Sequence, residues 1–138
     1  MCIESLGPSI ADLLSFVQGT FSVKTTLMIG RRMLSVLEQL HNNGIVHLDI
    51  KPANIVIGTL QKTKEIYLID FGISTLYVNR QTGQHIKYGY TGKFLGTARY
   101  ASVNAHALLR LSRKDDLESL AYMLLHLCSE QGLPWSPR

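Results

Sequence analysis

The sequence predicts an α+β chain that is mainly α-helical, and three features predict it. Apolar residues recur at helical spacing over about residues 23–43 and again from Asp115 onward. Three short apolar runs, Ile45–His47, Ile55–Ile57 and Ile66–Ile69, have the length of strands rather than helices. Residues 73–101 show no period and carry Gly83, Gly89, Gly92 and Gly96, with Gly72 just before, so they read as one long loop. Loops of that length inside a compact domain usually carry function.

Taken in order, residues 9–18 read as a short helix opened by Pro8 and Ser9 and closed by Gly19. A longer helix is expected from Val23 to Asn43, capped by Ser22 and ended by Gly44. Its apolar stripe is set by Val23, Leu27, Leu34, Leu37 and His41, with Gly30 in the same register. Glycine inside a helix costs about 1 kcal/mol against alanine, which points to close packing at Gly30. The polar residues 58–65 are expected to turn the second strand back to the third. From Asp115, residues Leu117, Leu120, Ala121, Leu124, Leu125 and Cys128 line one broad side of a helix, and Tyr122, Met123 and Leu127 the other. A helix apolar on nearly all sides is normally buried. Gly132, Pro134 and Pro137 end it, and no repeat, low-complexity segment or linker interrupts the chain.

The chain has 138 residues, enough for one core, and a hydrophobic fraction of 46% argues against disorder. Cys2 and Cys128 lie far apart without metal-type spacing, which suggests a reducing compartment. Glu4 precedes any apolar run and no basic stretch opens the chain, so no signal peptide is expected. The longest apolar stretch, Leu120 to Cys128, is too short to span a bilayer. The expectation is a soluble protein of the cytoplasm or nucleus without a membrane partner.

The net charge of +4 is unevenly placed. Between Phe71 and Lys114 there is no acidic residue, while Arg80, Lys87, Lys93, Arg99, Arg110, Arg113 and Lys114 fall in or at the end of the stretch. An anionic partner is one reading, and a solvated basic surface is the other. Tyr77, Tyr88, Tyr90, Phe94 and Tyr100 interleave with these charges, but no nucleic-acid motif accompanies them, so nucleic acid is not expected as a partner.

The chemistry-bearing pattern is His47-Leu48-Asp49-Ile50-Lys51-Pro52-Ala53-Asn54, followed sixteen positions past Asn54 by Asp70-Phe71-Gly72. Each motif follows a strand-like run. Phosphoryl transfer from ATP needs a carboxylate to orient the attacking hydroxyl and a cation to neutralise the moving phosphoryl group. It also needs a carboxylate and an amide oxygen to hold Mg²⁺. The two motifs supply all of these types in the order of a protein-kinase catalytic loop and its metal-binding partner.

The resemblance extends along essentially the whole chain. Leu6-Gly7-Pro8-Ser9, Gln84-His85-Ile86, Gly96-Thr97-Ala98-Arg99-Tyr100-Ala101-Ser102-Val103-Asn104, Asp115-Asp116-Leu117-Glu118-Ser119-Leu120 and Leu133-Pro134-Trp135 resemble the casein kinase I family of serine/threonine kinases. The resemblance implies a kinase large-lobe fold with short strands around the two loops. It implies that residues 1–138 are a partial domain running from the hinge to the central buried helix. The small lobe, with its glycine-rich loop and strand lysine, would belong upstream, and the last large-lobe helices downstream.

By resemblance, Asp49 is the catalytic aspartate and Lys51 the contact to the transferring phosphate. Asn54 and Asp70 are the Mg²⁺ ligands, hard oxygen donors suited to that ion. Thr97 would bridge to Asp49, Asp116 would hold the catalytic loop from below, and His47 and Phe71 would pack under the loops. The segment Glu4 to Leu6 resembles the hinge that faces adenine, with Val56 and Ile69 as an apolar floor; ordinary core burial is the competing account for those two. Arg99 falls in the substrate-binding segment, facing an anion or else pairing with a carboxylate elsewhere. Taken singly, Asp49, Asn54 and Thr97 would pass for ordinary loop residues and Lys51 for a solvated surface cation.

The chain departs from the family at several places. Leu48 stands where an arginine is usual, Thr75 where a lysine is usual, Ala53 where an aspartate is common and Ala121 where a glycine is usual. Leucine cannot donate a hydrogen bond or carry charge, so an anion site within the long loop is weakened while the transfer residues remain. The expected function is ATP-dependent phosphorylation of proteins with acidic or already phosphorylated segments. The alternative is a non-catalytic truncated kinase that binds other proteins, needs a complementary kinase segment, or self-associates.

Overall fold

The computed structural model describes residues 6–136. Helix α1 (Ile10–Phe16) begins at a capping box. The Ser9 hydroxyl accepts the Asp12 N–H, and the Asp12 carboxylate accepts the Ser9 N–H at 2.9 Å. Helix α2 (Val23–Asn42) starts where the Ser22 hydroxyl accepts the Thr25 N–H at 3.1 Å. Two short strands follow, β1 (Ile45–Val46) and β2 (Ile55–Ile57), and then β3 (Ile66–Leu68) and β4 (Thr75–Leu76). Helices α3 (Val103–His106) and α4 (Arg113–Cys128) complete the order. The class is α+β and mainly helical, as the periodicities predict.

The four strands form two separate antiparallel pairs. Ile55, Val56 and Ile57 of β2 face Leu68, Tyr67 and Ile66 of β3, so residues 58–65 make the expected turn. Ile45 and Val46 of β1 face Leu76 and Thr75 of β4. Strand β4 and helix α3 have no periodic signal in the sequence; one is too short for alternation and the other too short for a helical stripe. The chain before α1 lies along β2, where the Gly7 N–H donates to Ile57 O at 2.8 Å and the Ile57 N–H to Pro8 O at 3.1 Å.

The main core lies between α1, α2, α4 and the β2–β3 hairpin. Met33, Leu37, Ile55, Met123 and Leu127 are fully buried there. A second cluster of Val46, Leu48, Tyr77, Ala105 and Leu111 sits under the long loop. The helical periods are right, and Gly30, Leu37 and His41 of the expected α2 stripe are buried, but the rest of that stripe is displaced. Its buried face is Thr26, Ile29, Gly30, Met33, Leu37 and His41. Val23, Leu27 and Leu34 are 63%, 64% and 53% exposed. The reason is the close approach of α4: a Cβ on Gly30 would stand 2.8 Å from Leu124 Cδ1, so the smallest residue marks the helix contact. Helix α4 is likewise not buried all round. Leu120, Met123 and Leu127 are inside, whereas Leu117 and Leu125 are 43% and 57% exposed.

The long loop is tied to the body by backbone bonds. The Tyr77 N–H donates to Gly44 O at 3.0 Å, Thr91 N–H to Leu108 O at 2.8 Å and Arg110 N–H to Gly89 O at 2.8 Å. No helix among the described residues is long and apolar enough to cross a membrane.

Candidate active site

The segment between β1 and β2 is shaped from beneath by a buried carboxylate. Asp116, 1% exposed at the start of α4, accepts the His47 N–H at 2.9 Å, the Leu48 N–H at 2.8 Å and His41 Nε2 at 2.8 Å. Leu48 consequently takes a left-handed backbone, φ +74°, unusual for a branched side chain. This turn lifts Asp49 out of the core beside the long loop.

Four of the residues expected at the site come together around Asp49. Its Oδ2 accepts Lys51 Nζ at 2.6 Å and Asn54 Nδ2 at 3.2 Å, and its Oδ1 accepts the Thr97 hydroxyl at 2.7 Å. Lys51 Nζ also donates to Thr97 Oγ1 at 3.2 Å, which closes a triangle. Thr97 is delivered by Gly96, whose φ is +95° and whose Cβ, if present, would meet Leu48 O at 2.5 Å. Only glycine fits that approach. Burial pushes the Asp49 carboxyl up, but Lys51, Thr97 and Asn54 more than offset it, and the group is held below the usual carboxylate value. Asp49 is therefore ionised at neutral pH. Its two oxygens have roughly four acceptor sites, of which three are used, so one remains for an incoming O–H.

Asn54 is 5% exposed, and its amide nitrogen is spent on Asp49 O at 2.9 Å as well as on the carboxylate. Its amide oxygen is left free of internal partners among the described residues. The Ile69 N–H donates to Asn54 O at 2.9 Å, so the residue before Asp70 is fastened to Asn54. Asp70 is exposed and left-handed, φ +64°, and among the described residues its carboxylate accepts only the Gly72 N–H at 3.3 Å. An amide oxygen and a carboxylate with spare lone pairs fit a hard divalent cation that completes its shell with phosphate and water. No group of three or more His, Cys, Asp or Glu among the described residues makes a self-sufficient metal site.

His47 joins the two halves of the site. Its Nδ1 accepts the Asp49 N–H at 3.3 Å, which leaves Nε2–H to donate to Ile69 O at 3.1 Å. Burial holds its pKa below the usual histidine value, so the ring is neutral and this tautomer is kept. Phe71 stands edge-on to it at 5.0 Å between ring centres and is itself half exposed.

Of the remaining expected residues, Ile69 meets the Asp49 network through its backbone alone, and the side chains of the others stand apart from it. Val56 is 6% exposed in β2, opposite Tyr67 of β3, and Ile69 is half-buried just past β3. Leu6 precedes the segment that runs along β2. Glu4 lies outside the described residues. Arg99 is exposed beyond Thr97. Its carbonyl accepts Trp135 Nε1–H at 2.9 Å, and among the described residues no carboxylate pairs with its guanidinium. Trp135 is braced by the edge of Tyr122, 5.0 Å between centres.

Sequence reasoning gave no part to Asp115 or His126. Asp115 Oδ1 accepts the Ser102 hydroxyl at 2.8 Å and Asn104 Nδ2 at 3.0 Å, tying the segment after Arg99 to α4. The pairing spans two elements and has no local signature. The family model described as protein kinase domain matches residues 1–136 of the chain.

Proposed function

The chain belongs to the protein kinase domain family, and on that premise we propose that it carries the transfer machinery of an ATP-dependent serine/threonine kinase of casein kinase I type. Its substrates are proteins with acidic or already phosphorylated segments. The observation that carries the reading is the closed network of Asp49, Lys51, Asn54 and Thr97. Asp49 keeps one acceptor site for the proton of a serine or threonine hydroxyl and orients that oxygen for attack. Lys51, already at 2.6 Å from Asp49, offers its other N–H bonds to the moving phosphoryl group. Asn54 and Asp70 would hold Mg²⁺, which neutralises the phosphate oxygens when bound. Leu6, Val56 and Ile69, with Glu4, would meet the adenine.

The casein kinase I assignment is supported by Ser102-Val103-Asn104, whose outer two side chains both bond Asp115. The preference for anions is supported by Arg99, a guanidinium fork with no carboxylate partner among the described residues, in a stretch with no acidic residue. Localisation in the cytoplasm or nucleus accords with this activity.

The second reading, a non-catalytic protein-binding module, is favoured by the exposed apolar residues on α2 and α4. The 138 residues hold no glycine-rich loop to cover the phosphates, and catalysis of this kind is mostly positioning. Radiolabel transfer from Mg-ATP to an acidic peptide separates the readings. The chain alone should give background labelling. Joined behind a kinase small lobe it should label the peptide, and Asp49→Asn should lower that rate by about 10²–10⁴-fold. A joined protein as inactive as its Asp49→Asn variant would leave the binding module.

A further inference from the structure

Residues 97–101 form a turn whose crest is exposed at Ala98 and Arg99, and Tyr100 alone among them is buried. The Tyr100 and Ala101 N–H groups both donate to Thr97 O, at 2.9 and 3.0 Å. The next two carbonyls are taken by ring nitrogens from outside the turn. Ala98 O meets His106 Nε2 at 3.2 Å, and Arg99 O accepts Trp135 Nε1–H at 2.9 Å. One unit therefore joins the indole of Trp135 to the Thr97 hydroxyl, which donates to Asp49 at 2.7 Å.

His106 follows the turn by eight residues and belongs to the same stretch of chain, whereas Trp135 comes from 36 residues past Arg99. On the Trp135 side the turn borders a cavity of about 700 Å³, with Val103 and Tyr122 also on its wall. Packing against that open space does not hold the turn; the indole N–H does. Trp135 is itself 53% exposed, so burial alone does not account for its placement. A buried neighbour, Leu133, roots its segment, and the Ser136 N–H closes a turn on Leu133 O at 2.9 Å. Tyr122 stands edge-on to the indole, and its hydroxyl donates to Glu118 Oε1 at 2.9 Å. The same carboxylate oxygen accepts the Val103 N–H at 2.8 Å. Glu118 thus fixes both the brace of Trp135 and the chain just past the turn.

We propose that Trp135 is a positioning residue of the transfer site: its indole N–H holds Arg99 O and so keeps the Thr97 hydroxyl on Asp49. The inference rests on the reading of Asp49 as the residue that orients the target hydroxyl. Thr97 occupies Oδ1 of that carboxylate and also accepts Lys51 Nζ at 3.2 Å. Released from Trp135, the turn has the cavity to move into, and Asp49 loses the contact that fixes its plane. A carboxylate free to turn no longer presents its remaining acceptor site in one direction.

The Asp49 carboxyl reports this in the 138-residue chain without catalysis, because the Thr97 hydroxyl is one of the groups that hold it below the usual carboxylate value. Carbon-13 NMR of the aspartate-labelled chain gives its titration midpoint, and Asp49→Asn assigns the signal. Trp135→Phe keeps a ring against Tyr122 and removes the donor; it should move the Asp49 midpoint upward. Thr97→Val should move it further, and Trp135→Phe added to Thr97→Val should move it no more, since both act along one route. A midpoint unmoved in Trp135→Phe would leave Trp135 a packing residue and overturn the proposal. Additive shifts in the double variant would overturn the route through Thr97. Trp135 is the only tryptophan, so its indole N–H gives one signal. That signal should move in Thr97→Val, although no hydrogen bond joins the two side chains; an unmoved signal would also count against the shared unit. A midpoint that moves as expected, beside a small-lobe-joined protein that labels no peptide, would uphold the Trp135–Asp49 coupling and sink the kinase reading alone.

Discussion

Asp116 accepts three donors on two oxygens while 1% exposed, and two of those donors are backbone groups of the loop that carries Asp49. Removing it would orphan them all. Asp116→Ala is expected to destabilise the chain by about 3–5 kcal/mol, read from the urea unfolding midpoint; a loss under 1 kcal/mol would mean the loop holds itself. His47 gives a second prediction, on pH. Its folded pKa lies below 6.5, as does that of His126, so the unfolded chain takes up protons first on acidification. Stability from these rings is complete above pH 6.5 and is lost as pH falls through their folded values. Asp49, lowered from 3.8, adds a further loss only below that value. The melting temperature should decline from about pH 6.5 downward, and less steeply in His47→Gln; a flat profile to pH 5 would contradict the cause given. The residues of the Asp49 network are legible in the sequence because they lie within one loop and one motif. For Asp115 the local pattern marks only its capping of Ser112 and not its bonds to Ser102 and Asn104, and nothing local marks His126.

Among the elements, α2 shows how a correct period can carry the wrong phase. Gly30, Leu37 and His41 lie on the inner face as the stripe predicts, yet Thr26, Ile29 and Met33 join them there while Val23, Leu27 and Leu34 stay exposed. Helix–helix contact selects for small size at the closest approach, and hydrophobicity alone does not report size. The long loop was legible as lacking a period, whereas its backbone ties to Gly44 and Leu108 were not, since hydrogen bonds of that kind place no demand on side chains. Leu48 anchors this loop through the cluster of Val46, Tyr77, Ala105 and Leu111. The neighbouring cavity of about 400 Å³ has Lys93 and Arg110 on its walls and no carboxylate. Leu48→Arg would therefore bury a cation without a partner, beside the exposed Lys93 and Arg110. The expected loss is about 3 kcal/mol or more, recovered in part by phosphate or sulfate, which would bridge the cations. Chemical unfolding with and without 50 mM of either salt, about that concentration sufficing for a weak site, checks both halves; an undiminished midpoint without anion would show that the cluster accommodates charge.

At the scale of the whole molecule, the helix contact leaves an apolar seam open to water. Helices α2 and α4 run antiparallel: His41 meets Asp116, Gly30 meets Leu124, and the Phe21 N–H donates to Leu127 O at 2.7 Å. Val23, Leu27 and Leu34 flank that line on one side and Leu117 and Leu125 on the other, and Leu34 and Leu117 share one cavity. Each large apolar side chain taken from water is worth about 1.5–3 kcal/mol, so covering several of them outweighs a moderate cost of association. Patches of this kind on a lone chain promote self-association. The 138-residue chain is expected to sediment as oligomers at micromolar concentration. Leu27→Glu with Leu125→Glu should shift it toward monomer without lowering the unfolding midpoint, because both positions are more than half exposed already. The added negative charge on the patch would also repel a second copy carrying the same charge. A chain that sediments as a monomer before substitution would show that the seam is tolerated in water, and would remove the strongest support for a protein-binding role.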